Sequence, residues 1–294
     1  MKTIPDDMLA QLPGQCLRNN DRFRFRCHPG VACFNRCCHN LNLFLYPYDV
    51  IRLKQNLGMR SDQFIDRYVD IVLREGNHFP DVLLRMATDR EQACPFLSDA
   101  GCTVYQDRPD TCRAFPVEHG LHYGEPGTPP ERIGFFRPPA FCLGGQGPDE
   151  WTLATWAQDQ NAEEHHKMTL KWAGLKRLFD QDPWQGQGPN GPRGRMAFMA
   201  TYNMDEFREF LQSSSFLNRY KVKKDLLNRI RRDDTTLLRF GMDWVKLFVW
   251  GIPSKKIRPR CTGQPPAPAL PAIKHRAASG PPSRPPAHTP RQAE

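Results

Sequence analysis

The sequence predicts a mainly α protein with a few short strands, built as an irregular cysteine-rich domain, a helical C-terminal region and a disordered tail. Three observations predict this. Eight of the ten cysteines (Cys27, Cys33, Cys37, Cys38, Cys94, Cys102, Cys112 and Cys142) fall in one stretch. From Glu150 onward, apolar residues recur at helical spacing. From position 253 the chain turns to Pro, Ala and Arg, and cannot bury enough apolar surface to order itself. The expected divisions are a lead-in over 1–23, the cysteine-rich domain over 24–148, the helical region over 149–252 and the tail over 253–294. No internal repeat is visible.

The elements follow in order. Residues 1–23 are polar and broken by Pro5 and Pro13. Tyr46-Pro47-Tyr48-Asp49 reads as a helix start with Pro47 in the first turn, and Gly58 as its stop. Asp49 and Arg52 are expected to close that helix end by capping and an ion pair. Ser61 suits the cap of a second helix running to about Arg74, with Phe64, Ile65, Tyr68, Ile71 and Val72 on one face. Cys94 to Tyr105 reads as two short strands around a Ser-Asp-Ala-Gly turn. Arg108-Pro109-Asp110 suits a helix N-terminus and Pro116 its end. Residues 124–148, rich in Pro and Gly, read as a loop that delivers Cys142. Helical patterns run from about 150 to 180, then a Gly/Pro break to Pro192, then helices near 205–217 and 222–250. In the last, Leu237, Leu238, Trp244, Val245 and Phe248 read as a core face rather than a membrane-surface face.

The net charge of +9 loses its meaning once located. Residues 254–294 hold eight of the 41 Lys/Arg and one of the 32 acids, leaving 33 basic and 31 acidic residues in the rest. The folded part is nearly neutral, so no specific nucleic-acid partner is expected. No stretch approaches the roughly 20 apolar residues of a transmembrane segment. Met1 to Asp7 lacks the apolar core of a secretory signal. A cytoplasmic setting is therefore expected, where thiols stay reduced and clustered cysteines read as metal ligands or redox groups before disulfides.

The cysteines form two blocks, Cys27-x5-Cys33-x3-Cys37-Cys38 and Cys94-x7-Cys102-x9-Cys112, with Cys142 alone. Zinc and iron–sulfur sites draw thiolates from separate turns, and thiolates suit both metals. Neither block is a Cys-x2-Cys knuckle or a ferredoxin run, so the spacing points to metal without choosing one. On a helix, Cys33 and Cys37 would share a face while Cys38 points about 100° away. Adjacent cysteines rarely both bind one small ion, so Cys38 is the member one site explains least. A thiolate zinc site contributes roughly 10–16 kcal/mol to folding, comparable to the ~5–15 kcal/mol net stability of a domain. Four thiolates on Zn²⁺ leave a charge of −2, which Arg108 and Arg113, flanking Cys112, are placed to offset unless they make ordinary surface ion pairs.

A resemblance carries further. The order Phe25-x-Cys27…Cys33-x3-Cys37-Cys38, Asp49-x2-Arg52-Leu53, Gly58-Met59-x-Ser61-x2-Phe64-x3-Tyr68, then Cys94-Pro95-Phe96-Leu97…Gly101-Cys102-x2-Tyr105-x2-Arg108-Pro109-x2-Cys112-Arg113-x-Phe115-Pro116, resembles the YkgJ-type cysteine-cluster family, described as a zinc- or iron-chelating domain. The similarity covers about 25–116. The family's opening is usually tighter, and His28 to Ala32 are extra here. The resemblance implies metal binding. A distant similarity to flagellin lysine methylases, which carry a related cysteine cluster, implies an enzymatic alternative.

Among other residues, His28 and His39 flank the first block and read as exposed loop histidines. His165-His166 follows Glu163-Glu164; Glu-x2-His spacing occurs at di-iron sites but needs a second copy, so a solvated helix face is expected. No phosphate loop, nucleophile elbow or kinase signature is present. The reading is a metal-binding protein in which Cys27, Cys33, Cys37, Cys38, Cys94, Cys102, Cys112 and Cys142 hold zinc or iron, an iron–sulfur cluster included. The alternatives are an iron–sulfur-dependent protein-modifying enzyme and a redox- or metal-responsive protein that binds a protein partner.

Overall fold

The computed structural model describes residues 2–4, 12, 14–18, 20–122 and 131–260, the first three as backbone. It has ten helices and a few short strands among these residues, as the sequence predicts. Residues 261–294, which hold most of the expected disordered tail and Cys261, lie outside the described residues. Among the described residues, no helix is long and apolar enough to cross a membrane.

The first helix, α1 (Pro47–Asn56), starts as its sequence dictates. Pro47 takes the first helical position, and the Asp49 carboxylate accepts from the Tyr46 N–H at 2.9 Å. Gly58 turns the chain out of it at φ +61°. The next helix, α2 (Ser61–Tyr68), is shorter than expected. Beyond Tyr68 the β-branched run Val69, Ile71, Val72 leaves the helix as a strand, Val69–Val72, which pairs antiparallel with Asp81–Leu84. Ser61 caps no helix; its N–H and hydroxyl donate to Asp205 at 2.7 and 2.9 Å.

The hairpin Leu97–Ser98 with Gly101–Cys102 forms as expected, followed by α3 (Asp110–Ala114). The stretch read as a loop over 124–148 is partly a strand. Glu131–Phe136 pairs antiparallel with Val117–His122 and with Gln15–Leu17, while Lys2–Ile4 runs parallel beside Val117–His122. The alternation of Ile133 and Phe135, both buried, carried the strand signal; the surrounding Gly and Pro hid it. Residues 123–130 lie outside the described residues.

The helical region comprises α4 (Leu153–Asp159), α5 (Glu163–Lys176), α6 (Pro192–Tyr202), α7 (Met204–Ser213), α8 (Phe216–Arg219), α9 (Lys224–Ile230) and α10 (Asp234–Trp250). The expected helix over 222–250 is broken in two, because Asp233 caps α10 through the N–H groups of Thr235 and Thr236. No apolar period marks α6 in the sequence. Beyond Arg195, Met196, Ala197, Met199, Ala200, Thr201 and Tyr202 are buried, so most of α6 has no polar face to mark a period. The chain stays paired past 253: Ile257–Pro259 forms an antiparallel ladder with Tyr220–Val222.

One hydrophobic cluster runs from Leu43 to Ile257 and draws on both sides of position 149. The α10 face predicted as core is buried in it, with Trp244 stacked on Phe207 at 5.5 Å and on Phe248 at 4.9 Å. At Gly241 a Cβ would lie 2.0 Å from the Ala200 carbonyl oxygen, so α6 and α10 touch backbone to backbone. A smaller cluster, Leu17, Phe23, Phe25, Val117, Leu153 and Trp156, packs beneath Phe115, Phe136, Trp151 and Cys142. Cys94, Cys102 and Cys112 pack against the larger cluster and Cys142 against the smaller one.

A buried ionic knot joins α1, α2, α7 and α10. The Lys54 ammonium pairs with Asp205 at 2.7 Å and Asp234 at 2.9 Å, and Arg208 contacts both carboxylates. Removing one partner of such a knot strands a buried charge. Lys54→Met is expected to lose roughly 3–5 kcal/mol of stability in denaturant unfolding. Burial alone would raise the Asp205 pKa, but the Lys54 ammonium and the Ser61 N–H hold it down to about 2, below its ordinary 3.8. A depressed carboxyl stabilises the fold above its unfolded pKa and stops doing so as pH falls through the folded value. Stability should therefore drop between about pH 4 and pH 2, and Asp205→Asn should flatten that drop while lowering stability at pH 7.

Candidate metal centre

The described cysteines are all free thiols, and turns and hairpins rather than long helices place the eight of them. Cys33 closes a turn, with Arg36 N–H donating to its carbonyl at 3.1 Å. Asn35, at φ +67°, then bends the chain into the short 3-10 turn Arg36–Cys38; asparagine is among the few residues that adopt this conformation readily. After the turn the chain runs beside 92–94: Cys94 N–H donates to the Cys38 carbonyl at 2.8 Å, and His39 bridges Ala93. The hairpin sets Cys102 opposite Leu97, and the Leu97 N–H donates to the Cys94 carbonyl at 3.0 Å, so Cys94 and Cys102 are brought together.

Cys142 arrives from the other side. Arg26 N–H donates to the Gly144 carbonyl at 2.9 Å, Phe25 N–H to the Asp149 carbonyl at 3.0 Å, and the Trp151 indole to the Phe25 carbonyl at 2.8 Å. Gly144 is required there, since a Cβ would come within 2.4 Å of the Phe25 ring. Leu143 N–H donates to the Cys33 sulfur at 3.2 Å.

The thiols act on one another. Burial, then the Cys37, Cys33 and Cys142 sulfurs, push the Cys27 pKa up to about 11. Cys37 is drawn down to about 7, chiefly by a hydrogen bond from Cys38, whose own pKa rises in consequence. Burial and then Cys94 raise Cys112; burial raises Cys94 and Cys102. The described side chains nonetheless form no group of three or more already closed around an ion position. The thiols are gathered but open.

Sequence reasoning placed Arg108 and Arg113 beside this centre. Both are buried, and neither makes an ion pair among the described residues. Arg113 donates to the backbone carbonyls of Arg108, Gln106 and Gln160, and Arg108 to the Tyr105 carbonyl and the Gln160 side chain. Two buried arginines thus rest on neutral oxygens, and the Arg108 charge reaches Cys102. His28 is exposed and accepts from Gly30 N–H, and His39 is half-buried against Asn35 and Glu91. Cys16 sits exposed on the strand Gln15–Leu17, away from the eight.

Behind the cysteines lies a polar cluster that the sequence reading missed. His165 and His166 are buried, not solvated. Asp49 Oδ1 accepts from the Asp110 N–H at 2.9 Å, capping α3, and lies 3.3 Å from His165 Nδ1. Its expected ion pair with Arg52 does not form; Arg52 reaches Asp107 instead. Asp110 Oδ2 accepts from Thr169 at 2.8 Å, and Oδ1 faces His166 Nε2 at 3.3 Å, while Arg132 engages His166 Nδ1. Burial and then Asp49 lift the Asp110 pKa to about 7; burial and then Arg132 push His166 down to about 3. Acidic neighbours at 163–164 made these histidines look exposed, because hydropathy alone cannot tell a buried polar network from a wet face.

Residues 26–132 match the family model CxxCxxCC, described as a "Putative zinc- or iron-chelating domain". This is the cysteine-cluster family that the motif order resembles. The match takes in seven of the eight cysteines and stops short of Cys142. Searches of curated proteins and of solved structures found no match. Metal binding, by zinc or iron chelation, is the general function that the matched domain supports.

Asp49→Ala would strand the Tyr46 and Asp110 N–H groups. At about 1–3 kcal/mol for each buried donor left unpaired, it should cost several kcal/mol in urea unfolding and loosen α3. Hydrogen exchange at residues 110–114 measures the second effect.

Proposed function

We propose that this protein binds zinc or iron through Cys27, Cys33, Cys37, Cys38, Cys94, Cys102, Cys112 and Cys142. The observation that supports this is a set of eight free cysteines, distant in sequence, on turns and hairpins tied to one another by bonds such as Cys94 N–H to the Cys38 carbonyl and Leu143 N–H to the Cys33 sulfur. Thiols pressed together in a partly buried place repel one another once ionised. A cation reverses that penalty, since it binds the thiolate form and releases the protons. Arg108 fits the same account: it acts on Cys102 and makes no ion pair among the described residues, so it favours a net-negative thiolate–metal centre beside it.

The metal itself supplies charge neutralisation and cross-linking of the thiolate-bearing turns; the chain's part is to present the sulfurs and the surrounding cations. Purification without oxygen, followed by elemental analysis, tests the reading. At least one equivalent of zinc or iron per chain is expected, and metal well below that would overturn it. Cys112→Ser is expected to lower the metal content and the thermal midpoint together. An iron centre would colour the protein and a zinc centre would not.

A further inference from the structure

The near-neutral charge of the folded residues hides an asymmetry. Between 216 and 260 stand thirteen Lys/Arg against four acids, a net of +9, whereas residues 1–215 hold 24 basic and 27 acidic side chains, a net of −3. Three of the four acids are already engaged. Asp233 caps α10, Asp234 sits in the Lys54 knot, and Asp243 pairs with Lys256 at 2.7 Å. At the α9–α10 junction a cavity of about 470 Å³ is lined by Asn228, Arg229, Arg231, Arg232, Asp233 and Thr236. The three arginines are exposed and make no ion pair among the described residues. Asp233 is the one carboxylate there, and its oxygens accept from the Thr235 and Thr236 N–H groups and the Thr236 hydroxyl. Those helix N–H groups are thus occupied, and the attraction of the cavity for an anion comes from its guanidiniums.

The ladder of Tyr220–Val222 with Ile257–Pro259 repeats the pattern. Tyr220 and Ile257 are buried, so the alternate residues Lys221 and Arg258 face solvent, and the register sets these two directly opposite each other. Like charges so placed repel and weaken a ladder. Lys223 and Lys224, both exposed, lead from the ladder into α9. We propose that this basic face, Lys221 to Arg232 together with Arg258, binds the phosphate backbone of a duplex nucleic acid without reading its sequence. Closely spaced phosphates supply the anions that the arginines and the Lys221–Arg258 pair lack. An anionic membrane or an acidic protein fits less well, since each calls for apolar side chains to insert or bury. Over 216–260, Ile252 is the one large apolar side chain left exposed among the described residues. Phe216, Tyr220, Phe240 and Trp244 are buried, which leaves no exposed aromatic in this stretch to stack on single-stranded bases. None of these residues is a cysteine, so the face is separate from the metal-binding residues proposed above.

The test is fluorescence anisotropy of a labelled DNA duplex of about 20 base pairs, titrated with the full-length protein between about 50 and 200 mM salt. The wild type is expected to bind, with affinity falling steeply as salt rises. Lys221→Glu/Arg231→Glu/Arg232→Glu is expected to bind roughly tenfold more weakly at the lower salt, with a salt slope shallower by roughly 2–3. Lys221→Glu alone should weaken binding while leaving the thermal midpoint unchanged or raised, because it sets an opposite charge against Arg258. That single variant decides if the triple one fails to fold. Lys274→Gln/Arg276→Gln/Arg284→Gln/Arg291→Gln, which neutralises the tail, should keep most of the binding. Affinity that is lost with the tail charges and unchanged in the Lys221 and triple variants would overturn the proposal. A wild type that ignores the duplex would overturn it too, and binding to phosphatidylserine vesicles instead would make the partner a membrane.

Discussion

Asp49 is where the helical layer and the cysteine region are fastened together. One carboxylate oxygen accepts the Tyr46 N–H and so starts α1; the other accepts the Asp110 N–H and so starts α3, and also faces His165 on α5. A buried carboxylate costs several kcal/mol of desolvation unless such donors surround it, and here the donors are the N-terminal ends of helices, which carry partial positive charge. The same atoms fix the direction in which α3 leaves, and α3 carries Cys112. The position of one thiol is thus set by a carboxylate that is not itself part of the cysteine cluster. Asp110, His166, Arg132 and Thr169 extend this fastening to the sheet.

The eight cysteines are held by tertiary tethers rather than by regular secondary structure. Five lie on turns or loops (Cys27, Cys33, Cys37, Cys38 and Cys142), Cys94 just before the hairpin, Cys102 on its two-residue second strand and Cys112 on a five-residue helix. Such short elements have little stability of their own, because nucleating a helix or hairpin fixes several dihedrals for few bonds. Their geometry comes from the two hydrophobic clusters beneath them and from bonds such as that between Cys94 N–H and the Cys38 carbonyl. Open but gathered thiols are what such a scaffold produces: near enough to repel when charged, and free enough to turn toward an ion.

The sequence disclosed the site better than the scaffold around it. Cysteine clustering, the Ser-Asp-Ala-Gly hairpin, the Pro47 and Asp110 helix starts and the α10 core face were legible, since each rests on a local signal: spacing, turn chemistry or apolar period. The strand at Val69–Val72, the strand at Glu131–Phe136 and α6 were not, because pairing partners or all-round burial decided them. The role of His165 and His166 was hidden for a related reason. Their neighbours Asp49 and Asp110 are more than 50 residues away in sequence, and no local pattern encodes that approach. Arg108 and Arg113 fell between these cases: their nearness to Cys112 was readable, their burial without carboxylate partners was not.

The short turn at Arg36–Cys38 also governs where the chain can change in length. Between Cys27 and Cys33 the backbone makes exposed turns at His28 to Ala32, held by local bonds such as Gly30 N–H to His28 and Val31 N–H to the His28 carbonyl. Residues added or removed there bulge into solvent and leave both ends in place, at a loop-closure cost that grows only slowly with length. The step from Cys37 to Cys38 has no such freedom. One residue inserted at that point would rotate the Cys38 sulfur away from its neighbours. Natural variants of this architecture should therefore differ in the number of residues between the first two cysteines and agree on the adjacency of the last two.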